Sequence, residues 1–385
     1  MISKRILEEF VLKDNSTVPF NFYLFDENIF LKNIEKFKNV FSSKIYDVDF
    51  GYSVKTNPEI EVIKRAVSAG LKAEIVSPHE LQIVKKLGVK PFDIIYNGVI
   101  PDYEGKFEIA HNGGYVNIES YNELKDLEIY AESMKHNIEV GLRVNVDIGN
   151  GRKSRFGIEL SSEEMMNALK LLEKSKYISL NGIHSHVYGG REVKHWKTRT
   201  LALFEFAKKL NAKYVDLGSN MYGIMDPRMS EQFQEALPSL DDYASTISES
   251  LETVYKNSAR PKIIFEPGTP IIANAISILA KIENIRTVRG STIATLSCSE
   301  YDCGFTPSTK NIPIDIINIG EGQEYDNLIF YGYTCTEGDV LNRGMKCRAA
   351  IGDYVILRNI GAYSCSLKNH FIMPPPEFIS ITESV

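Results

Sequence analysis

Short apolar runs rich in β-branched residues alternate with stretches of helical periodicity through the first two-thirds of this sequence. Eight such runs occur, at residues 45–54, 72–76, 93–97, 114–118, 138–145, 180–186, 213–217 and 261–266. Helix-period segments lie between most of them, for example at 59–69, 78–87, 120–134, 161–174 and 193–210. Eight strands with intervening helices favour a closed (β/α)8 barrel over an open doubly wound sheet.

The pattern changes after about residue 270. Short β-rich runs at 271–287, 291–297, 328–333 and 346–357 are separated by turn-forming clusters, without a long helical pattern. This pattern of short β-type runs predicts a second, C-terminal all-β domain. An early β-type run at 20–25 precedes the first barrel helix and is assigned to the same domain. We therefore predict an α/β chain with its barrel at 28–270 and a β domain made of 1–27 plus 271–385.

Composition and charge exclude several classes of function. A net charge of -6 argues against a nucleic-acid-binding surface. No run of 18 or more apolar residues occurs and the N-terminus lacks an apolar signal core, so we expect no membrane segment. The five cysteines include no C-x-x-C pair, which argues against a disulfide framework and fits a cytoplasmic protein.

Residues suited to chemistry recur where the predicted barrel strands end, which is where such barrels carry their sites. Lys55 directly follows the first strand, and desolvation there lowers an amine pKa and favours Schiff-base chemistry. From this segment alone, a surface lysine is the commoner interpretation. His184 and His186 share one face of a strand. This pair suits stacking on a flat cofactor better than zinc binding, because no third ligand at usable spacing is evident.

Three further segments offer groups for the same kind of site. Glu266 stands before Pro267-Gly268 at the end of the eighth strand, where a carboxylate could keep a pyridine nitrogen protonated. Gly268 would let backbone N–H groups approach an anion. Cys335 lies among polar turn-forming residues, where its thiol could donate a proton. Tyr363 follows Gly361-Ala362, although in isolation such a tyrosine most often only packs.

Taken together and in this order, these segments resemble the fold-type III pyridoxal-phosphate decarboxylases. That family includes the diaminopimelate, ornithine/arginine and carboxynorspermidine decarboxylases, and it has the alanine racemase-like architecture. The resemblance covers nearly the whole chain, from about residue 20 to residue 378. The matched segments are G-Y-S-V-K-T-N at 51–57, G-I-H-S-H-V at 182–187, E-P-G at 266–268, residues 332–341, and G-A-Y at 361–363.

The resemblance implies pyridoxal 5'-phosphate as cofactor and a role for each matched residue. It implies that Lys55 forms the Schiff base, His186 stacks on the ring, Glu266 pairs with the pyridinium and Cys335 returns a proton to Cα. The implied cofactor-binding residues are Lys55, His186, Gly189, Gly218, Glu266, Gly268 and Tyr363. The expected substrate contacts are Tyr333, Thr336 and Glu337, and no metal site is predicted. Because the family's cysteine segment reaches the neighbouring subunit, a homodimer with shared active sites is implied.

Several positions depart from the family pattern. The glycine-rich phosphate loop D-x-G-G-G-F-G is here D-L-G-S-N-M-Y-G, with Ser219 and Asn220 in place of glycines. Thr269 replaces the arginine after E-P-G, so one cationic phosphate contact is missing. Thr336 replaces the acidic residue that meets a distal ammonium in diamine-type enzymes. A buried ammonium without its counter-charge is costly. We therefore predict an α-decarboxylase of an acidic or conjugated amino acid rather than of a free diamino acid.

Three alternatives stay open. The first is a diaminopimelate- or ornithine-type decarboxylase proper, with Glu337 or Asp302 taking the missing acidic role. The second is an amino-acid racemase of the same fold, against which Glu266 weighs because racemases avoid a carboxylate at the ring nitrogen. The third is a non-catalytic relative, which the altered phosphate loop favours. The joint presence of Lys55, His186, Glu266 and Cys335 argues against it.

Overall fold

The computed structural model describes residues 21–256, 258–368 and 370–381. Its strands are β1 (Phe22–Asp26), β2 (Val48–Ser53), β3 (Lys72–Ile75), β4 (Ile94–Tyr96), β5 (Tyr115–Ile118), β6 (Ile138–Asn145), β7 (Ile158–Glu159), β8 (Ile178–His184), β9 (Tyr214–Asp216), β10 (Lys262–Phe265), β11 (Ile276–Val288), β12 (Ser291–Leu296), β13 (Ile314–Ile317), β14 (Gln323–Tyr331), β15 (Val340–Ala349), β16 (Tyr354–Leu357) and β17 (Glu377–Ile381). Its α-helices are α1 (Glu27–Ser42), α2 (Ile60–Ser68), α3 (Pro78–Lys86), α4 (Tyr103–His111), α5 (Tyr121–Met134), α6 (Glu163–Lys174), α7 (Val193–Lys209), α8 (Pro227–Ser230), α9 (Leu240–Tyr255), α10 (Thr269–Ile272) and α11 (Ser364–Leu367).

Eight parallel strands close into a barrel. The hydrogen-bonded order is β5-β4-β3-β2-β10-β9-β8-β6, and pairing of β5 with β6 completes the circle. The short strand β7 pairs with the C-terminal end of β6. The predicted (β/α)8 barrel is therefore confirmed. Because all eight strands run the same way, their carboxyl ends meet at one mouth.

Local sequence signals start the helices that connect these strands. Four of the helices begin at a serine N-cap whose side chain accepts a backbone N–H from the first turn, at Ser77, Ser120, Ser162 and Ser239. Such a cap satisfies one of the N–H groups that the first turn leaves unpaired. Three of these helices, those capped at Ser77, Ser120 and Ser162, begin within a few residues of the strand that precedes them.

Aromatic side chains pack helix α1 against β2 and β10, the strands that precede Lys55 and Glu266. Phe37 and Phe41 on this helix contact Phe265 of β10, with ring centroids 6.2 and 4.4 Å apart. Phe37 also lies 5.9 Å from Phe50 of β2. All four rings are buried, and burial of each contributes roughly 1.5–3 kcal/mol. This cluster holds β2 beside β10.

The second domain is a mostly antiparallel sheet. Its strands follow the order β13-β16-β11-β12-β14-β15, and β1 joins it by pairing with β11 and β17. The C-terminal β domain is confirmed. One detail of the prediction is wrong: 271–287 is not all strand, because Thr269 begins the single helical turn of α10 and the strand starts only at Ile276. Residues 1–20, included in the predicted domain, lie outside the described residues.

No helix among the described residues is both long and apolar enough to cross a bilayer.

Two glycines make room for a buried tyrosine inside the barrel. A Cβ on Gly182 would lie 2.2 Å from the ring of Tyr214, and one on Gly141 would lie 2.3 Å from its hydroxyl oxygen. That hydroxyl donates a hydrogen bond to Asn117 Oδ1 at 2.9 Å. Gly182 therefore has a packing reason that is independent of the histidines that follow it.

We expect Gly182→Ala to destabilise the fold by about 1–3 kcal/mol, because the added methyl group overpacks the Tyr214 ring. The matched control is Gly320→Ala, since a Cβ on Gly320 meets no atom within 4 Å. That control should change stability by less than about 0.5 kcal/mol. The measurement is urea unfolding followed by circular dichroism. Equal midpoints for the two variants would contradict the packing role.

Candidate active site

Polar side chains converge at the mouth of the barrel. Lys55 lies in the 3-10 turn Val54–Thr56 that follows β2. The other strands place at the same mouth a set of buried or nearly buried groups: Glu74, Asn97, Asn117, Arg143, His184, Asp216 and Glu266.

The Lys55 amine forms an ion pair with a fully buried carboxylate. Nζ lies 2.6 Å from Glu74 Oε2, and the Lys55 side chain is 32% exposed whereas that of Glu74 is 0% exposed. Ser53 Oγ donates to the same carboxylate oxygen at 2.7 Å. Burial lowers the pKa of Lys55, but Glu74 and Glu266 more than offset this and raise that pKa above its ordinary value. The predicted lowering of this pKa by desolvation is therefore wrong.

Asn97 links the two carboxylates that face Lys55. Its Nδ2 donates to Glu74 Oε1 at 3.0 Å and to Glu266 Oε1 at 2.6 Å, and it is itself 2% exposed. Its Oδ1 accepts from Asn117 Nδ2 at 2.8 Å. Sequence reasoning missed Asn97, although a polar residue directly after the apolar strand β4 was the signal that could have found it.

Glu266 belongs to a buried group with His184 and Asp216. His184 Nε2 lies 3.7 Å from Glu266 Oε2, and one ligand-type atom from each residue falls within 4.8 Å of the others. Burial raises the pKa of Glu266, but His184 and Lys55 outweigh it and keep that pKa below its usual range. Burial and the nearby Glu266 raise the pKa of Asp216, so the pKa values of these two neighbouring carboxyl groups move in opposite directions.

Folding brings the carboxyl groups of Asp216 and Glu266 to His184, donors that the spacing of the two histidines did not indicate, although His186 is not part of this group. These carboxyl groups already have partners. Asp216 Oδ1 accepts the backbone N–H of Gly218 at 2.9 Å, and Glu266 Oε1 accepts from Asn97.

His186 packs against the loop that follows β9. The backbone N–H of Ser219 donates to His186 Nδ1 at 3.2 Å. A Cβ on Gly218 would lie 2.7 Å from the same nitrogen, and Gly218 has φ +57°, so this position requires glycine. Burial, then Lys55 and Arg143, hold the pKa of His186 well below its ordinary value. The imidazole is therefore neutral.

The loop after β9 also contacts the loop after β8. Asn220 Nδ2 donates to the backbone oxygen of Gly189 at 2.5 Å. Ser219 Oγ is buried and has no hydrogen-bond partner among the described residues. This loop therefore offers a hydroxyl with an unused donor and acceptor.

A segment of the second domain closes over the Lys55 turn. Tyr363 donates its backbone N–H to Thr56 O at 2.8 Å, and Asn57 Nδ2 donates to Gly361 O at 3.1 Å. Tyr363 is held in the left-handed region with φ +65°. Gly268 lies on the other side of the turn, where a Cβ would come within 2.0 Å of Thr56 Oγ1. The predicted cofactor residues Lys55, His186, Gly189, Gly218, Glu266, Gly268 and Tyr363 thus lie around one mouth.

The predicted proton donor and substrate contacts lie on a separate loop of the second domain. Cys335 and Glu337 are exposed, whereas Tyr333 and Thr336 are half-buried. Asp339 organises this loop by accepting from the Thr334 side chain at 2.7 Å. Among the described residues, no hydrogen bond or ion pair joins Cys335 to the Lys55 turn.

Comparison with known proteins identifies relatives of this arrangement. The family model for the pyridoxal-dependent decarboxylase, pyridoxal binding domain, matches residues 30–273. The chain is similar to the diaminopimelate decarboxylases of Aquifex aeolicus (strain VF5), at 26% identity over 379 residues, and of Methanocaldococcus jannaschii, at 23% over 352 residues. These matches cover 92% and 88% of this chain and 84% and 80% of the relatives.

Solved structures of the same group have a similar fold. Diaminopimelate decarboxylase from M. jannaschii in complex with L-lysine superposes with a TM-score of 0.84 at 21% identity, covering 98% of this chain and 89% of the other. Lysine/ornithine decarboxylase from Vibrio vulnificus with putrescine superposes with a TM-score of 0.77 at 18% identity, covering 98% of both chains.

The site fits pyridoxal phosphate, the cofactor of the matched family. Lys55 presents a partly exposed amine, as an aldehyde-binding group must. Glu266 is a buried carboxylate that stays ionised, as a partner for a pyridinium requires. The third group is the Ser219 hydroxyl, which is buried, has no partner among the described residues and could donate a hydrogen bond to a phosphate oxygen.

We expect Glu74→Gln to lower the pKa of Lys55, because the mutation removes the carboxylate charge that most raises it. In cofactor-free protein, the pH profile of Nζ labelling by an amine-specific reagent should move to lower pH. Mass spectrometry of the Lys55 peptide measures this profile. Lys262, which pairs with Asp47 and Asp49, is the internal control and should not move. An unchanged Lys55 profile would contradict the electrostatic role of Glu74.

Proposed function

We propose that this chain, which belongs to the pyridoxal-dependent decarboxylase family, removes the α-carboxylate of a free diamino acid of the diaminopimelate or ornithine type. The family membership makes the chain a pyridoxal-phosphate-dependent carboxy-lyase. The named relatives act, by their names, on diaminopimelate, lysine or ornithine. The prediction of an acidic or conjugated substrate, which rested on Thr336, is therefore not supported.

When bound, pyridoxal phosphate supplies the electron sink for the bond that breaks at Cα as CO2 leaves. In our proposal Lys55 attaches the cofactor covalently, and Glu74 orients its amine. Glu266 holds the proton at the pyridine nitrogen, because it is ionised and buried. His186 would lie against the ring of the bound cofactor, and the Ser219 N–H would hold the imidazole in orientation. Cys335 returns a proton from Sγ to Cα.

The phosphate end of the cofactor is assigned to the two loops and to the second domain. Gly218 and Gly268 allow the backbone to approach closely where any side chain would clash. Gly189 is fixed to the Gly218 loop through Asn220. Tyr363 donates its backbone N–H to Thr56 in the Lys55 turn, and we assign its phenol to the phosphate end as well.

One observation supports a distal ammonium on the substrate. Glu300 lies beside the Cys335 loop: its backbone N–H donates to Asp339 Oδ1 at 2.7 Å, and its Oε1 lies 3.9 Å from where a Cβ on Gly338 would be. Among the described residues it has no ion-pair partner. Burial and the Asp339 charge raise its pKa more than the charge of Arg343 lowers it, so a further cation beside it would be favourable.

Asp302 and Glu337, the other two acidic candidates, are less suited to bind a distal ammonium. Asp302 is 2% exposed and its carboxylate caps a turn by accepting the Ser299 N–H at 2.9 Å. Glu337 is exposed to solvent, where an ion pair contributes little. We therefore assign recognition of the distal ammonium to Glu300, the role that Thr336 cannot fill.

The direct test is CO2 release from meso-diaminopimelate, ornithine and lysine, with 2-aminopimelate as the comparator that lacks the distal amine. We expect kcat/KM above about 10⁴ M⁻¹s⁻¹ for at least one diamino acid. Glu300→Gln should raise KM for that substrate at least about tenfold, which corresponds to roughly 1.4 kcal/mol, and leave 2-aminopimelate unaffected. Glu337→Gln is the matched control. If only acidic or conjugated amino acids are decarboxylated, the proposal is wrong.

We further propose a homodimer in which Cys335 acts in the site of the partner chain. The Cys335 side chain is exposed in a single chain, and no described contact ties it to the Lys55 turn. An exposed thiol cannot protonate Cα in a water-excluded site. A second copy that covers this loop would supply the missing enclosure.

Mixing two inactive variants, Lys55→Ala and Cys335→Ala, should restore activity. Random reassociation makes half of the dimers mixed, and each of these has one intact site in two. The recovered activity should therefore approach about a quarter of wild type. The control mixture pairs Lys55→Ala with Glu266→Ala, which lie on one barrel and should not complement. Recovery in both mixtures, or in neither, would contradict the shared site.

A further inference from the structure

The phosphate end of the site lacks the arginine that the resembled decarboxylases carry after E-P-G. Thr269 stands in its place, at the start of α10. A phosphate monoester bears close to two negative charges near neutral pH, and charged donors bind it more strongly than neutral ones. A site that retains this cofactor therefore needs a cation from elsewhere in the chain.

Arg199 is a buried cation without a carboxylate partner. It lies on α7, is 2% exposed, and stacks its guanidinium 3.7 Å from the centroid of the Trp196 ring. Among the described residues no carboxylate lies within ion-pair distance, and Nε has no hydrogen-bond partner. Burial lowers the pKa of this guanidinium to about 9. A buried charge without an ion-pair partner is costly, so an anion bound beside it would be favourable.

Arg199 lies against the loop that would hold the phosphate. Its Nη1 and Nη2 are 3.5 and 3.4 Å from the backbone oxygen of Ser219. The Ser219 hydroxyl is buried and also lacks a partner. The same loop packs on the residue that replaces the family arginine, since a Cβ on Gly223 would lie 2.9 Å from Thr269 O. One loop therefore contacts both Arg199, at Ser219, and the position of the missing arginine, at Gly223.

We infer that the Arg199 guanidinium supplies the counter-charge for the phosphate of bound pyridoxal phosphate, in place of an arginine at position 269, and that the Ser219 hydroxyl binds the same phosphate. This inference rests on the cofactor and not on the diamino-acid substrate. Its test therefore needs no substrate and does not depend on the outcome of the decarboxylation assays.

Arg191 is the other arginine near this loop, and its contacts make it the weaker candidate. Its Nε donates to Asn220 Oδ1 at 3.2 Å, and its guanidinium lies over the Tyr222 ring at 5.1 Å. It is also only half-buried, so solvent already stabilises its charge. Arg191→Met is therefore the matched control for Arg199→Met.

The experiment measures the affinity of cofactor-free protein for pyridoxal phosphate and for pyridoxal, which lacks the phosphate. Arg199→Met should weaken pyridoxal-phosphate binding at least about 30-fold and pyridoxal binding less than about threefold. Arg191→Met should change either affinity less than about threefold. Inorganic phosphate should raise the melting temperature of the wild-type protein and not that of Arg199→Met. These magnitudes are typical of a charge-assisted contact.

An equal loss of affinity for both ligands would mean that Arg199 is purely structural and would overturn the inference. So would a larger phosphate-selective loss in Arg191→Met. If Arg199→Met does not fold, Arg199→Lys and Ser219→Ala replace it. Arg199→Lys keeps the charge and should retain selectivity for pyridoxal phosphate, whereas Ser219→Ala should reduce that selectivity at least about threefold. Unchanged selectivity in Ser219→Ala, or its complete loss in Arg199→Lys, would also overturn the inference.

Discussion

Two buried carboxylates, Glu74 and Glu266, are held beside the Lys55 amine by the side-chain amide of Asn97. Burying two like charges together is unfavourable unless a cation and hydrogen-bond donors compensate them. Lys55 supplies the cation, and Asn97 supplies a donor to each carboxylate. His184 and Lys55 keep the pKa of Glu266 below its usual range, while the pKa of the neighbouring Asp216 is raised. The positions of the catalytic groups at the barrel mouth therefore depend on this one network.

The second domain takes part in the site through backbone contacts. Its segment at 361–363 binds the Lys55 turn through the Tyr363 N–H and the Gly361 carbonyl. The N-terminal strand β1 pairs with β11 and β17, so both ends of the described chain meet in this domain. Glu300 and the Cys335 loop lie in the same domain, and our proposals give them the substrate and the proton. Chemistry and specificity would then be divided between the barrel and the β domain.

The phosphate end shows how a site can change its residues without changing its chemistry. Glycine at 218 is required because His186 occupies the space of a side chain, whereas Ser219 and Asn220 stand where the resembled family has glycines. The cation that Thr269 no longer supplies is proposed to come from α7, which packs behind the loop. A buried arginine that forms no ion pair among the described residues is costly by itself, and its burial becomes favourable once an anion binds.

The sequence by itself determined the architecture and the strand-end residues. Alternating strands and helices predict a parallel barrel, and parallel strands bring residues such as Lys55 and Glu266 to one mouth wherever they lie in the chain. It did not reveal Asn97, Glu300 or Arg199, because each matters through a neighbour distant in sequence. The sign of the Lys55 pKa change was decided only by the fold, since burial and two carboxylates act in opposite directions. Strand order follows from local pattern, whereas the balance of buried charges depends on distances that only tertiary packing sets.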